Sequence, residues 1–85
     1  MALIFSRAAT KGLRSMPARE RGQMLERLKA VAAAPAERHP SVTVMQGEPP
    51  GRLRVRQGDW RAIFRELDGD VVVLDVAHRS RIYDR

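Results

Sequence analysis

Arg52, Arg54 and Arg56 alternate with Leu53 and Val55 at the start of the stretch RLRVRQGDWRAIFRELDGDVVVLDVAHRSRIY, which runs from Arg52 to Tyr83. A strand has side chains of period 2, so this run sets the arginines on one face and the two apolar residues on the other. Arg61 follows just past a turn, on the adjacent strand. Arg65, four residues on, shares a face with Arg61 and Ile63. Arg79 and Arg81 come off the end of a third strand. A guanidinium is a planar fork of donors that grips phosphate bidentately. Several of them around one cleft would bind backbone phosphates and stabilise the extra charge of a pentavalent transition state. Arg54, Arg61 and Arg79 are the first candidates for that work, with Arg52, Arg56 and Arg81 as further phosphate contacts. The plainer reading is a solvated arginine face salt-bridged to Glu48, Glu66 and Asp59, and for Arg56 and Arg65 it is the better one.

Other side chains in the stretch have two readings each. Trp60 stacks on a base, or it is the aromatic plug between sheet and helices. His78 caps the end of the third strand by hydrogen bonding, or it lines the cleft. Tyr83 transfers a proton or stacks, or it is an aromatic at the core edge with a wet hydroxyl. His39, between Arg38 and Pro40, reads as an exposed loop residue. No phosphate-binding glycine loop, dinucleotide fingerprint, zinc spacing or Ser-His-Asp order occurs.

The elements that must position these groups are legible. Gln57-Gly58-Asp59 and Asp68-Gly69-Asp70 are hairpin turns between runs of strand character at Arg52–Arg56, Trp60–Leu67 and Val71–Ala77. Val71-Val72-Val73-Leu74 is apolar on both faces, as an interior strand is. Asp75 interrupts that run and needs a partner, with an arginine the obvious choice. Upstream, Ala2–Ser6 reads as a short first strand. Ser6 then caps a helix with Ala8, Ala9, Leu13 and Met16 on its apolar stripe, and Gly12 weakens it while permitting close packing. Pro17 ends that helix and suits the first turn of a second, whose buried face is Met24, Leu25, Leu28, Val31 and Ala32. Pro35 stops it. Residues 36–51 form a connector rich in proline, where Val42, Val44 and Met45 either start a short strand or dock beneath the helices. The expected fold is α+β in the order β-α-α-β-β-β, a small, mostly antiparallel sheet with the helical hairpin on one face and the other face partly open and basic.

Size and charge narrow the partners. The 85 residues make a single domain, 1–85. Its 44% hydrophobic content is that of a globular chain. The net charge is +6, and the basic residues are nearly all arginine, which points first to nucleic acid and second to an acidic protein. With no cysteine, disulfides and thiolate metal sites are excluded. The apolar run at the N-terminus is too short for a signal or a membrane span, so a cytoplasmic location is expected.

The segment Gly47-Glu48-Pro49-Pro50-Gly51-Arg52-Leu53-Arg54-Val55-Arg56-Gln57-Gly58-Asp59-Trp60-Arg61-Ala62-Ile63-Phe64 resembles the central signature of RelE/ParE-family toxins of bacterial type II toxin–antitoxin systems. His78-Arg79-Ser80-Arg81-Ile82-Tyr83 resembles that family's C-terminal motif, and the helix hairpin between Pro17 and Pro35 matches its layout. The resemblance covers nearly the whole chain. It implies a microbial-RNase-like domain that, in the RelE-like branch, cleaves messenger RNA in the ribosomal A site without metal or other cofactor. A ribose 2′-OH attacks the adjacent phosphate, leaving a 2′,3′-cyclic phosphate and a free 5′-OH. Basic residues corresponding to Arg52 and Arg54, with Arg61, Arg79 and Tyr83, would carry the reaction. The best-known members have lysine where Arg52 and Arg54 stand. Arginine does not deprotonate, so the general base is open, with His78 and Tyr83 as candidates. The resemblance also implies a cognate antitoxin, bound as a hetero-oligomer by an acidic, largely unfolded segment. A ParE-like toxin that binds DNA gyrase without catalytic residues, and a weak member that only binds its antitoxin, are the alternatives.

Overall fold

The computed structural model describes residues 2–34, 39–45 and 51–82, and contains five strands and three helices in the order β1 (Leu3–Phe5), α1 (Arg7–Ser15), α2 (Ala18–Ala33), β2 (Val42–Val44), β3 (Leu53–Gln57), β4 (Trp60–Leu67), β5 (Asp70–His78) and α3 (Arg79–Ile82). The expected α+β architecture is present, with an added edge strand and a closing helical turn. The sheet order is β1-β5-β4-β3-β2. Only β1 and β5 are parallel, and the other pairs are antiparallel.

Both expected hairpins form, and their turn chemistry explains them. Asp68 and Gly69 both have positive φ, +51° and +84°, as a two-residue type I′ turn demands. Gly58 has φ +59° and Asp59 does not take positive φ, the pattern of a type II′ turn with glycine first. The first hairpin strand begins at Leu53, so Arg52 stands just before it.

The core lies on one face of the sheet. Ala9, Leu13 and Met16 of the α1 side and Met24, Leu28, Val31 and Ala32 of α2 pack on Val55, Ala62, Phe64, Val71, Val73 and Val76. Leu25, expected on the same helical stripe, is only partly buried. The Ser6 hydroxyl has two tasks. It accepts the Ala9 N–H at 3.0 Å, capping α1, and donates to the Leu74 carbonyl at 2.7 Å. Leu74 needs that donor because the β4–β5 register skips it: Ile63 faces Asp75 and Phe64 faces Val73. Gly12 lets α1 sit directly on the Val76 backbone.

One expectation shifts. Pro17 lies outside the first turn of α2 as its N-cap, with extended backbone (φ −54°, ψ 144°), and its carbonyl accepts the Arg21 N–H at 2.9 Å. Of the two alternatives for Val42, Val44 and Met45, the short strand forms: Val42–Val44 pairs with β3 at the sheet edge, with Val44 63% exposed and Val42 packed partly on the core. Arg79 and Arg81 follow the last strand as expected, and there they lie on a helical turn. The predicted stop at Pro35 lies outside the described residues.

Candidate functional site

An open cleft of about 480 Å³ lies at the end of the sheet where β3 turns into β4. It is lined by Arg27, Arg56, Arg61, Arg79, Asp59, Gly58, Pro40 and Ser41. Each guanidinium arrives from a different element: Arg27 from α2, Arg56 from β3, Arg61 from β4 and Arg79 from the first position of α3. Arg56 and Arg61 are directly opposed in the β3–β4 ladder, which sets two like charges across one pair. Such a pair is stabilised when an anion sits between or above it.

Hydrogen bonds around the turn organise the cleft. Arg61, only 6% exposed, donates through Nη1 to the Gly58 carbonyl at 2.8 Å and to the Trp60 carbonyl at 2.9 Å. The backbone N–H of Arg79 donates to the Asp59 carbonyl at 2.7 Å. Three consecutive carbonyls, of residues 58, 59 and 60, are therefore each held by Arg61 or Arg79. The Arg79 guanidinium also approaches the Asp59 carboxylate, Nε to Oδ1 at 3.7 Å, with both side chains more than half exposed. That is a loose ion pair, open to competition from a ligand.

On the far side of the turn, α2 follows the same end of β3. Glu20 reaches the Gly58 turn, and the Gln57 side chain donates to the Gln23 amide oxygen. Arg27 is one turn further along α2 than Gln23, which brings it to the cleft rim.

Of the nine candidate residues, the cleft gathers Arg56, Arg61 and Arg79. Arg54 is half-buried two pairs away along β3, opposite Ile63 and Thr43, and is not among the lining residues. Arg52 stands at the other end of the strand, about 13 Å from Arg56 by strand rise. Its carbonyl accepts the Met45 N–H.

Trp60, His78 and Arg81 go elsewhere. With Gly12, Ser15, Val76, Ala77 and Ser80 they line a second hollow of about 370 Å³ beside α1. Trp60 and Arg61 are successive strand residues and point to opposite faces, so the tryptophan packs on the core while the arginine lines the cleft. Trp60 and His78 are cross-strand partners whose rings meet edge to face at 5.6 Å. His78 Nδ1 accepts the Ser80 N–H at 3.3 Å and lies 3.0 Å from its hydroxyl, closing the start of α3. His78 thus makes a local hydrogen bond and lines the second hollow, while its neighbour Arg79 lines the arginine cleft. Tyr83 lies outside the described residues.

Two cleft residues escaped the sequence. Arg27 read as part of the outer helix surface, because no pattern in the chain gives the position of α2 over β3. Asp59 read as a turn residue and a counter-ion, and its three-carbonyl setting is a tertiary fact. No group of three or more His, Cys, Asp or Glu among the described residues is placed to hold a metal ion. Nor is any described helix long and apolar enough to cross a membrane.

Comparison with known proteins agrees with this frame. Residues 3–83 match the family model described as ParE toxin of type II toxin-antitoxin system, parDE. No curated protein sequence matches. Among solved structures, the chain is similar to the toxin–antitoxin complex RelBE2 from Mycobacterium tuberculosis, with 25% identity, a TM-score of 0.73, and 92% of this chain and 96% of that chain covered. It is also similar to the isolated E. coli RelE toxin, with 25% identity, a TM-score of 0.73, and 98% and 90% covered. The YoeB/ParE toxin from Agrobacterium tumefaciens shares the fold at 14% identity, with a TM-score of 0.75 and 92% and 98% covered.

Proposed function

This chain belongs to the ParE toxin family, as a toxin of the RelE/ParE superfamily of type II toxin–antitoxin systems, and on that premise we propose that it is a ribosome-dependent mRNA endonuclease. The observation that carries the reading is the convergence of Arg27, Arg56, Arg61 and Arg79 on one open cleft. Four guanidiniums within one hollow of this size suit a bent RNA backbone, and they are already in place before charge builds on the phosphorane.

Arg56 and Arg79 have the exposure to hold phosphate directly. Arg61 is largely committed to the turn and acts from beneath. The phosphate-holding role considered for Arg54 falls first to Arg56, which lines the cleft two residues further along the same strand face. RNA cleavage proceeds by attack of the 2′-OH on the adjacent phosphate, giving a 2′,3′-cyclic phosphate and a 5′-OH end. The partner that silences the toxin is an antitoxin with an acidic segment, as the charge of +6 favours.

A second reading, inhibition of DNA gyrase, is favoured by the ParE-type family match. Induced expression followed by mapping of RNA 5′ ends separates the two. New 5′-OH ends within translated messages, lost in the Arg56→Ala/Arg79→Ala double variant, support the endonuclease. Growth arrest with a DNA-damage response and no new RNA ends would instead establish the gyrase reading.

A further inference from the structure

Transesterification needs a group that takes the 2′-OH proton, and a guanidinium cannot be that group. Asp59 is the one lining residue of the cleft, among those described, able to accept a proton from a hydroxyl through a carboxylate. Resting on the endonuclease reading above, we propose that Asp59 is the proton acceptor, its carboxylate held in the cleft by a turn whose three successive carbonyls are fixed by Arg61 and Arg79.

The turn would be far looser without those bonds. A two-residue hairpin turn at a sheet end normally leaves its outer carbonyls to water. Here both turn residues, Gly58 and Asp59, have theirs occupied, at 2.8 and 2.7 Å, and the Trp60 carbonyl at the start of β4 takes the second Arg61 bond at 2.9 Å. The Asp59 backbone is thus positioned while its side chain stays 65% exposed toward an incoming ribose. Gly58, with φ +59° and Glu20 against it, sets the bend that aims the residue.

The charges balance through the step. An Asp59 carboxylate oxygen takes the proton of the 2′-OH as O2′ forms its bond to phosphorus. The bond from phosphorus to O5′ breaks, its electron pair goes to O5′, and O5′ is protonated from solvent water. Asp59 then returns its proton to solvent. As Asp59 is neutralised, its pairing with Arg79 lapses, and the phosphorane gains negative charge at the same moment. Arg79, already on the phosphate, thereby tightens its hold as the phosphorane forms, which adds stabilisation beyond that in the ground state.

The test is single-turnover cleavage of ribosome-bound mRNA by the full chain, alongside its affinity for the same ribosomes. Asp59→Asn and Asp59→Ala are expected to cleave at least about 100-fold more slowly, the usual range for loss of a general base, with binding within about threefold of wild type. Added formate or acetate should restore cleavage by Asp59→Ala in proportion to its concentration, and should leave Arg79→Ala unrestored. Asp59→Asn cleaving as fast as wild type, or faster, would overturn the proposal and make Asp59 a mere competitor for Arg79. Loss of cleavage without carboxylate rescue would overturn it as well. Wild-type protein that cleaves nothing sinks the endonuclease reading itself, an outcome distinct from either.

Discussion

Gly12 gives the sharpest test of how α1 is seated. A Cβ built there lies 1.8 Å from the Val76 carbonyl oxygen and 2.6 Å from its carbonyl carbon. Both are backbone atoms of β5, between β1 and β4 in the sheet, so neither can swing aside. To regain ordinary van der Waals separation, α1 would have to lift by on the order of 1.5 Å, which strips dispersion contact from Ala9, Leu13 and Met16. Overpacking against rigid neighbours costs about 3 kcal/mol at its upper range. Alanine recovers about 1 kcal/mol of helix propensity. The net loss for Gly12→Ala is therefore about 2 kcal/mol, a fall in Tm of roughly 8–16 °C for a domain of this size. Gly22 in α2 is the internal control, because nothing lies within 4 Å of its Cβ position. Gly22→Ala should gain about 0.5–1 kcal/mol from propensity alone. Urea and thermal unfolding of the two variants measure the contrast. Toxin activity should fall with Gly12→Ala alone, since Val76 leads through Ala77 and His78 to Arg79. A Gly12→Ala protein as stable as Gly22→Ala would show that α1 is not seated on the β5 backbone in this way.

Ser6→Ala should destabilise by about 2 kcal/mol, roughly half from the lost cap and half from the Leu74 carbonyl left without its donor. Ser6→Asp, which retains a capping acceptor but has no proton for Leu74, should fall between the two in urea titrations, and full stability in either variant would refute the double role. Arg61→Met should cost about 2 kcal/mol, from two hydrogen bonds to a charged group partly offset by apolar filling, and should speed hydrogen exchange at the Arg79 amide. Unchanged exchange there would show the turn to be rigid without its brace. For RNA binding, Arg56→Gln and Arg79→Gln should each reduce the slope of log affinity against log salt by about 0.7, the value per phosphate contact on a single strand. A slope unaffected by both would place the RNA outside the cleft.

Local requirements were the legible part of this fold. Asp68-Gly69 and Gly58-Asp59 announce their turns because positive φ is needed at particular positions and few residues supply it. Ser6 announces a helix start for a similar reason. The helical stripe of Met24, Leu28, Val31 and Ala32 follows from periodicity. The edge strand β2 was ambiguous because it has three residues, of which Thr43 and Val44 are exposed, so neither length nor alternation marks it. Strand alternation made part of the site legible, since Arg56 and Arg61 share a face and the cross-strand register follows from the turn, although the sequence alone favours a solvated role for Arg56, which lines the cleft. It failed where helical geometry intervenes. On α3 each residue turns the direction by about 100°, so Arg79 and Arg81 diverge by about 200°, and they line different hollows. For Trp60 the sequence leaves two alternatives, and the plug is the one that strand alternation requires, since Trp60 must oppose Arg61 across the sheet and packs on the core.

Arg61 joins stability to chemistry at the β3–β4 turn. Burying a guanidinium to 6% exposure is costly, and an apolar side chain of similar size commonly does as well or better for stability alone. Stability is therefore a poor reason for an arginine at this position. What the planar fork supplies, and an apolar side chain cannot, is a donor that reaches the carbonyls on both sides of Asp59 at once. With the Arg79 amide on the carbonyl between them, the backbone beneath the cleft is fixed before any phosphate arrives. A cationic cleft on a loose turn would reorganise around each bound phosphate and spend binding energy in doing so. Under the endonuclease reading, a cleft fixed in advance would direct charge to where the phosphorane forms, which is what separates a site able to accelerate cleavage from a basic surface.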